Sequence, residues 1–175
     1  MHVEPMDTCI ECHDAHALQV QVAACSGCHQ NESTEEGLRT IRLNSPDDYD
    51  GDGDVAEGIA GEIETMHQVL YEGIQAYASE QGNPILYDPA SYPYFFADPN
   101  ENNELDEGEE GFATWTPRML KAAYNYTWVA KDPGAFAHNA DYILQILYDS
   151  LEDIGADVSG MVRHPVLAVE EEPQP

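Results

Sequence analysis

Apolar residues recur at intervals of three and four along three stretches, and those intervals predict three amphipathic helices. Over residues 55–80 the stripe is Ile59, Ile63, Met66, Leu70, Ile74 and Tyr77. A second helix is expected over residues 117–130, with Thr116 as its cap and Pro117 in its first turn, ending before Asp132-Pro133-Gly134. The third, over residues 138–154, carries Tyr142, Ile143, Ile146, Leu147 and Leu151 and stops at Gly155. Such stripes read as faces that pack on one another. Residues 83–96 are broken by Pro84, Pro89 and Pro93, so their aromatics are expected to lie extended over the helices. The expected fold class is mainly α: a small helical domain over residues 46–160, behind a loop-rich segment at 1–45 with little core of its own. Residues 161–175 are expected to form a tail, its Glu170-Glu171-Glu172-Pro173-Gln174-Pro175 end disordered.

Charge narrows the partners. The chain has 175 residues, 34 acidic and 6 basic, for a net charge of −28. That field excludes a nucleic-acid surface and docking on anionic lipid, and it favours cations. No apolar run reaches the length of a membrane span, and no basic-then-apolar leader opens the chain. If the protein is exported, this chain is expected to be a processed form or a fragment. Arg118, Lys121 and Lys131 fall around the second helix, where they could serve acidic loops or the acid groups of a cofactor.

All four cysteines belong to two CxxCH motifs, Cys9-Ile10-Glu11-Cys12-His13 and Cys25-Ser26-Gly27-Cys28-His29. This is the pattern of covalent haem c attachment. Two thiols three positions apart reach the two vinyl groups of one porphyrin, and the next residue places an imidazole under the iron. Cys9, Cys12, Cys25 and Cys28 are thus the candidate tethers of two haems, and His13 and His29 the proximal iron ligands. A four-cysteine zinc site or two disulfides would use the same thiols, but neither needs a histidine after each pair. Attachment chemistry takes place outside the cytoplasmic membrane, so a periplasmic or extracellular protein is expected.

Five histidines remain for the sixth coordination positions. His16 lies too close to His13 to reach the opposite face of the same porphyrin, yet it can serve a neighbouring haem. His2, in a polar and turn-rich stretch, could reach a haem here or on another subunit. His138, expected to open the third helix, could be carried to a haem by it. His67 falls on an apolar helix face, where a core histidine bonded to a neighbour is the ordinary case. His164 precedes Pro165 in the expected tail and carries no signal.

Acidic residues form a second constellation. Residues 48–57 place Asp48, Asp50, Asp52 and Asp54 at positions 1, 3, 5 and 7 of a loop, with Gly53 at position 6 and Val55 at 8. That is the first two-thirds of an EF-hand calcium loop, in which alternate side chains of a tight turn point at one centre. Position 12 is Ile59, so Glu57 or Glu62 would have to supply the missing carboxylate. Residues 98–109 repeat the pattern with Asp98, Asn100, Asn102, Glu104 and Glu109, and with Asn103 where glycine is usual. Two calcium ions are expected, which would bring the charge to about −24.

The run from His2 through Val20, with the second motif close behind, resembles the C-terminal portion of multihaem c-type cytochromes, as does the stretch from Ala122 to Asn139. In that family the haems are stacked as an electron conduit and bis-histidine ligation prevails. The resemblance implies His2, His16 and His138 as distal ligands, and outer-sphere electron transfer to redox protein partners or neighbouring subunits. It also implies that a homo-oligomer, or a conductive filament with ligands shared between subunits, is open to such a chain. Relatives often carry further haems upstream. Two other classes remain: a haem enzyme with an open axial site reducing a small nitrogen or sulfur oxyanion, and a calcium-dependent structural or assembly module.

Overall fold

In a computed structural model, residues 6, 8–29, 33–42 and 45–165 are described. Three short helical turns come first, α1 (Cys9–Cys12), α2 (Val22–Cys25) and α3 (Glu35–Arg39), followed by the long α4 (Ile59–Glu80). A two-stranded antiparallel hairpin, β1 (Ile85–Tyr87) and β2 (Phe95–Ala97), precedes α5 (Pro117–Lys131), the short α6 (Ala135–His138) and α7 (Ala140–Ile154). The protein is mainly α, as the periodicity requires.

The three long helices pack on one another. Met66, Leu70 and Ile74 of α4, Met119, Ala122 and Ala123 of α5, and Leu144, Leu147 and Leu151 of α7 form the centre of the core. Thr116 caps α5 by accepting the Met119 N–H at 3.2 Å, with Pro117 in the first turn where its missing N–H costs nothing.

Three details depart from the sequence reading. The third helix is interrupted: His138 closes α6, and Asn139 caps α7 by accepting the Tyr142 N–H at 3.4 Å. Its buried face is Ile143, Leu144, Leu147 and Leu151, while Tyr142 points outward, because a face running back from Leu151 and Leu147 in steps of three and four arrives at Leu144. The proline-broken segment contains a true hairpin, whose strands place Ile85 and Phe95 on the core and Tyr87 against Tyr126.

Residues 161–165, expected in the tail, fold back onto the body. Arg163 Nε pairs with Asp149 Oδ1 at 2.6 Å, and the His164 ring lies 5.3 Å from that of Tyr49. Gly160 runs so close to Gly51 that a Cβ at position 51 would meet its carbonyl carbon and oxygen at 2.7 Å. His67 is the bonded core histidine expected: its Nε2–H donates to the Tyr126 carbonyl at 2.9 Å, and its ring stacks on Tyr126 at 4.1 Å. Arg118 and Lys121 meet Asp153 rather than a loop, and Lys131 sits over the Tyr94 ring.

Ahead of α4 the packing changes character. Among the described residues, none before Tyr49 is buried. Arg42 joins this segment to the body. Its guanidinium pairs with Glu62, which is fully buried, donates to the carbonyls of Ser45, Asp47 and Glu57, and lies over the Tyr49 ring.

Two predictions follow from this packing. Arg42→Met leaves Glu62 buried and uncompensated, and urea denaturation is expected to show a loss of about 3–5 kcal/mol. Burial holds His67 below its usual value despite its bond to Tyr126, so the unfolded chain takes up a proton that the folded chain resists. The resulting stability is complete above about pH 6.5 and is lost as pH falls below it. Urea titrations at pH 7.5 and 5 are expected to show a smaller acid loss in His67→Gln, which keeps a donor for the Tyr126 carbonyl.

Candidate haem and cation sites

The two cysteine motifs fold alike. In the first, Thr8 donates its N–H to Glu11 Oε2 at 3.0 Å, and one helical turn closes with the His13 N–H donating to the Cys9 carbonyl at 2.8 Å. In the second, the His29 N–H donates to the Cys25 carbonyl at 2.9 Å. A single turn sets residues three apart on one face, so each motif presents both thiols together with the histidine directly after them. The motifs are joined: the Gln21 N–H donates to the Cys12 carbonyl at 2.7 Å, and His13 bridges to Val20. Asp14 turns the chain between them. Its carboxylate accepts the N–H groups of Ala17 and His16, which hold it below the usual carboxylate range.

All four cysteines are unpaired, two exposed and two half-buried. Burial, with the nearby Cys12 thiol, pushes Cys25 up. Among the described residues, the groups of three or more candidate ligands that converge are made of carboxylates, and the thiols do not gather as a four-cysteine zinc site would need. Paired thiols on one helical face, each pair followed by an imidazole, fit two haem c groups in donor chemistry and in spacing.

The structure separates the remaining histidines. His138 stands beside the first motif, its ring centroid 6.3 Å from that of His13 and tilted by 50°. Its Nδ1–H donates to both Asp132 oxygens, at 2.8 and 3.0 Å. His16 is exposed on the turn after the first motif. His2 lies outside the described residues. His67 is committed to the core and His164 to the surface beside Tyr49.

The first acidic loop enters α4 directly. Asp48 accepts the N–H groups of Gly51 and Gly53 at 2.7 and 2.9 Å, Asp50 that of Asp52 at 3.1 Å, and Asp52 that of Asp54 at 2.7 Å. Gly51 and Gly53, positions 4 and 6, are left-handed at φ +78° and +94°. Glu62 Oε2 fixes the entrance by accepting the Tyr49 and Asp50 N–H groups, both at 2.9 Å. Asp50, Asp52 and Glu57 bring carboxylate oxygens within 4.8 Å of one another, as do Asp48, Asp50 and Glu62. Asp54 joins neither group; its carboxylate caps the Ala56 N–H.

Two oxygens here have no hydrogen-bond partner although they are buried: Asp50 Oδ2 and Glu57 Oε1. Burial pushes Asp50 up to about 6, with Glu62 and Asp52 adding to it against the Asp52 N–H. Burial and then the charges of Asp50, Glu62, Asp52 and Asp54 push Glu57 up to about 7. Crowded, dry, unpartnered carboxylates are the donor set of a hard cation. Glu62 is already neutralised by Arg42, so Glu57 is the freer carboxylate.

The second loop repeats the backbone of the first. Asp98, 2% exposed, accepts the N–H groups of Asn102 and Asn103 at 3.2 and 3.0 Å. Asn100 accepts that of Asn102 and Asn102 that of Glu104. Positions 4 and 6 are again left-handed, Glu101 at φ +55° and Asn103 at +59°. Here no three carboxylates converge among the described residues. The carboxylate at the centre is Asp106, which accepts both the Asn100 and Asn102 amides at 2.9 Å. Asp106 was missed in the sequence although it stands at position 9, a recognised ligand position. Glu109 accepts the Asp106 N–H at 2.9 Å.

Over 159 residues, covering 74% of this chain, the sequence is 28% identical to the C-type polyhaem cytochrome OmcC of Geobacter sulfurreducens. The same identity and coverage hold for the C-type polyhaem cytochrome OmcB of that organism. The chain spans 20% of the length of these curated relatives. No family model and no solved structure matches it. Over 74% of its length the chain is thus similar to C-type polyhaem cytochromes, proteins whose name matches what its two like-folded CxxCH turns suggest.

Proposed function

We propose that this chain is a dihaem c electron-transfer unit, with a helical body braced by calcium. The observation that carries the reading is the common geometry of the two motifs, each a single turn closed from histidine N–H to first-cysteine carbonyl. Cys9 and Cys12 would tether one haem and Cys25 and Cys28 the other, with His13 and His29 as proximal ligands. Haem c supplies a one-electron iron couple, and the protein's levers on it are the axial ligands, their hydrogen bonds and burial. Filling both axial positions closes the iron to substrates, so the chain carries electrons and is not an enzyme. Because haem is attached outside the cytoplasmic membrane, the reading carries with it a periplasmic or extracellular place.

Asp48, Asp50, Asp52 and Glu57 would hold the first calcium, an assignment supported by the unpartnered buried oxygens of Asp50 and Glu57. Asp98, Asn100, Asn102 and Asp106 would hold the second, supported by the matching left-handed positions. The exposed His16 is the imidazole that a neighbouring haem or subunit, including one in a filament, would use.

Pyridine haemochrome analysis of protein matured in an exporting host is expected to give two covalent haems per chain. Its oxidised and reduced spectra are expected to be low-spin, with no carbon monoxide adduct. A protein without covalent haem overturns the reading. For the cation, calcium at a hundred times its dissociation constant is expected to add about 2.7 kcal/mol of stability, reversed by a chelator. Asp50→Asn is expected to lose most of that gain, and a thermal midpoint indifferent to calcium would remove the cation from the proposal.

A further inference from the structure

We infer that His13 and His138 are the two axial ligands of one iron, that of the haem tethered at Cys9 and Cys12, and that Asp132 is the positioning residue of this pair. The inference rests on the dihaem reading above and deepens it. Two metal–imidazole bonds of about 2.0 Å, with roughly 1.1 Å from each nitrogen to its ring centre, set the centroids of trans imidazoles about 6 Å apart. The His13 and His138 centroids are 6.3 Å apart. Stacked rings, such as His67 on Tyr126 at 4.1 Å, stand closer.

The chemistry of His138 points the same way. Its Nδ1 is occupied by the bidentate contact to Asp132, which fixes the tautomer and leaves Nε2 with the lone pair. A carboxylate behind the imidazole is the usual outer-shell arrangement of a metal-bound histidine, and it raises the basicity of the ligating nitrogen. Asp132 is itself fixed. It caps the C-terminal end of α5, and its Oδ1 also accepts the Gly134 N–H at 3.0 Å.

Gly134 completes the arrangement. A Cβ at this position would meet His138 Cε1 at 2.7 Å and Nε2 at 3.0 Å, so the ring edge occupies the space that a side chain would take. The turn Asp132-Pro133-Gly134 thus holds the imidazole from behind through Asp132 and along its edge through Gly134. The His138 side chain is nevertheless 55% exposed. A histidine held this firmly yet open to solvent is built to present a nitrogen rather than to fill a core. His16, three residues from His13 on the same turn, has no comparable placement.

The test uses the full haem-loaded chain and reads ligation spectroscopically. In His138→Met, near-infrared magnetic circular dichroism is expected to lose the bis-imidazole band of one haem and keep that of the other, with two covalent haems by haemochrome. In Asp132→Asn both bands remain, and the midpoint potential of one haem rises because its imidazole becomes less basic, while the other stays in place. In a Cys9→Ala, Cys12→Ala background, His138→Met leaves the spectrum of the remaining haem unchanged. An intact bis-imidazole signal in His138→Met with two haems attached overturns the pairing and leaves the dihaem reading standing. Equal potentials in Asp132→Asn and the parent remove Asp132 from its role. A His138→Met effect that persists when the first haem is absent assigns His138 to the other iron and overturns the pairing. Absence of covalent haem in the parent overturns the dihaem reading itself.

Discussion

The described residues ahead of Tyr49 are not organised by burial. Every described residue before Tyr49 is exposed or half-buried, and Ile10 and Leu18 stand 67% and 75% in solvent. A segment of that length pays for its backbone order with buried apolar area or with covalent and metal bonds, and here the protein supplies little area. On the dihaem reading, two short turns with paired thiols are the framework of a segment whose core is a prosthetic group. The rest of the molecule can then be understood as the support on which that segment rests.

The support is electrostatic as much as apolar. With a net charge of −28 the chain repels itself, and most of its few cations are paired with carboxylates, Arg118 and Lys121 with Asp153 and Arg163 with Asp149 among them. Arg42 illustrates this. It neutralises the fully buried Glu62 and ties the carbonyls of residues 45, 47 and 57, so one guanidinium anchors the path from the cysteine segment into the first acidic loop. What it leaves uncompensated are the carboxylates of Asp50 and Glu57, both raised by burial, Asp50 also by the charges of Glu62 and Asp52, and Glu57 by that of Asp50. The place with the greatest need of a cation is therefore adjacent to the place where the protein has used its own.

Much of this was legible in the sequence because it rests on local rules. Helical spacing found α4, α5 and most of α7; Thr116 and Pro117 marked the start of α5; and Gly53 and Asn103 marked one left-handed position in each acidic loop, while Gly51 and Glu101 were not singled out. What escaped depends on contacts between distant residues. The hairpin at Ile85 and Phe95 is held by its packing on α4 and α5, with Pro89 and Pro93 in its turn and Pro84 just before its first strand. Tyr142 and Leu144 exchanged roles because the face of α7 is set by its partners, not by its own apolar count. The pairing of His13 with His138 joins residues 125 positions apart, beyond the reach of any spacing rule. Asp132 announced itself only as part of a turn.

The close approach of Gly51 to Gly160 has a consequence in time. The first acidic loop is completed by chain that comes more than a hundred residues later, and the separation between His13 and its neighbour His138 is greater still. Contacts of such sequence separation form late, after the local helices and after the far end of the chain has become available. Within this stretch the cysteine segment is therefore made before the helices that follow it and stays open until they close behind it. On the dihaem reading, attachment of a cofactor to the thiols and folding of the helices are ordered by topology, and the thiols stay accessible for as long as the segment carrying His138 is outstanding.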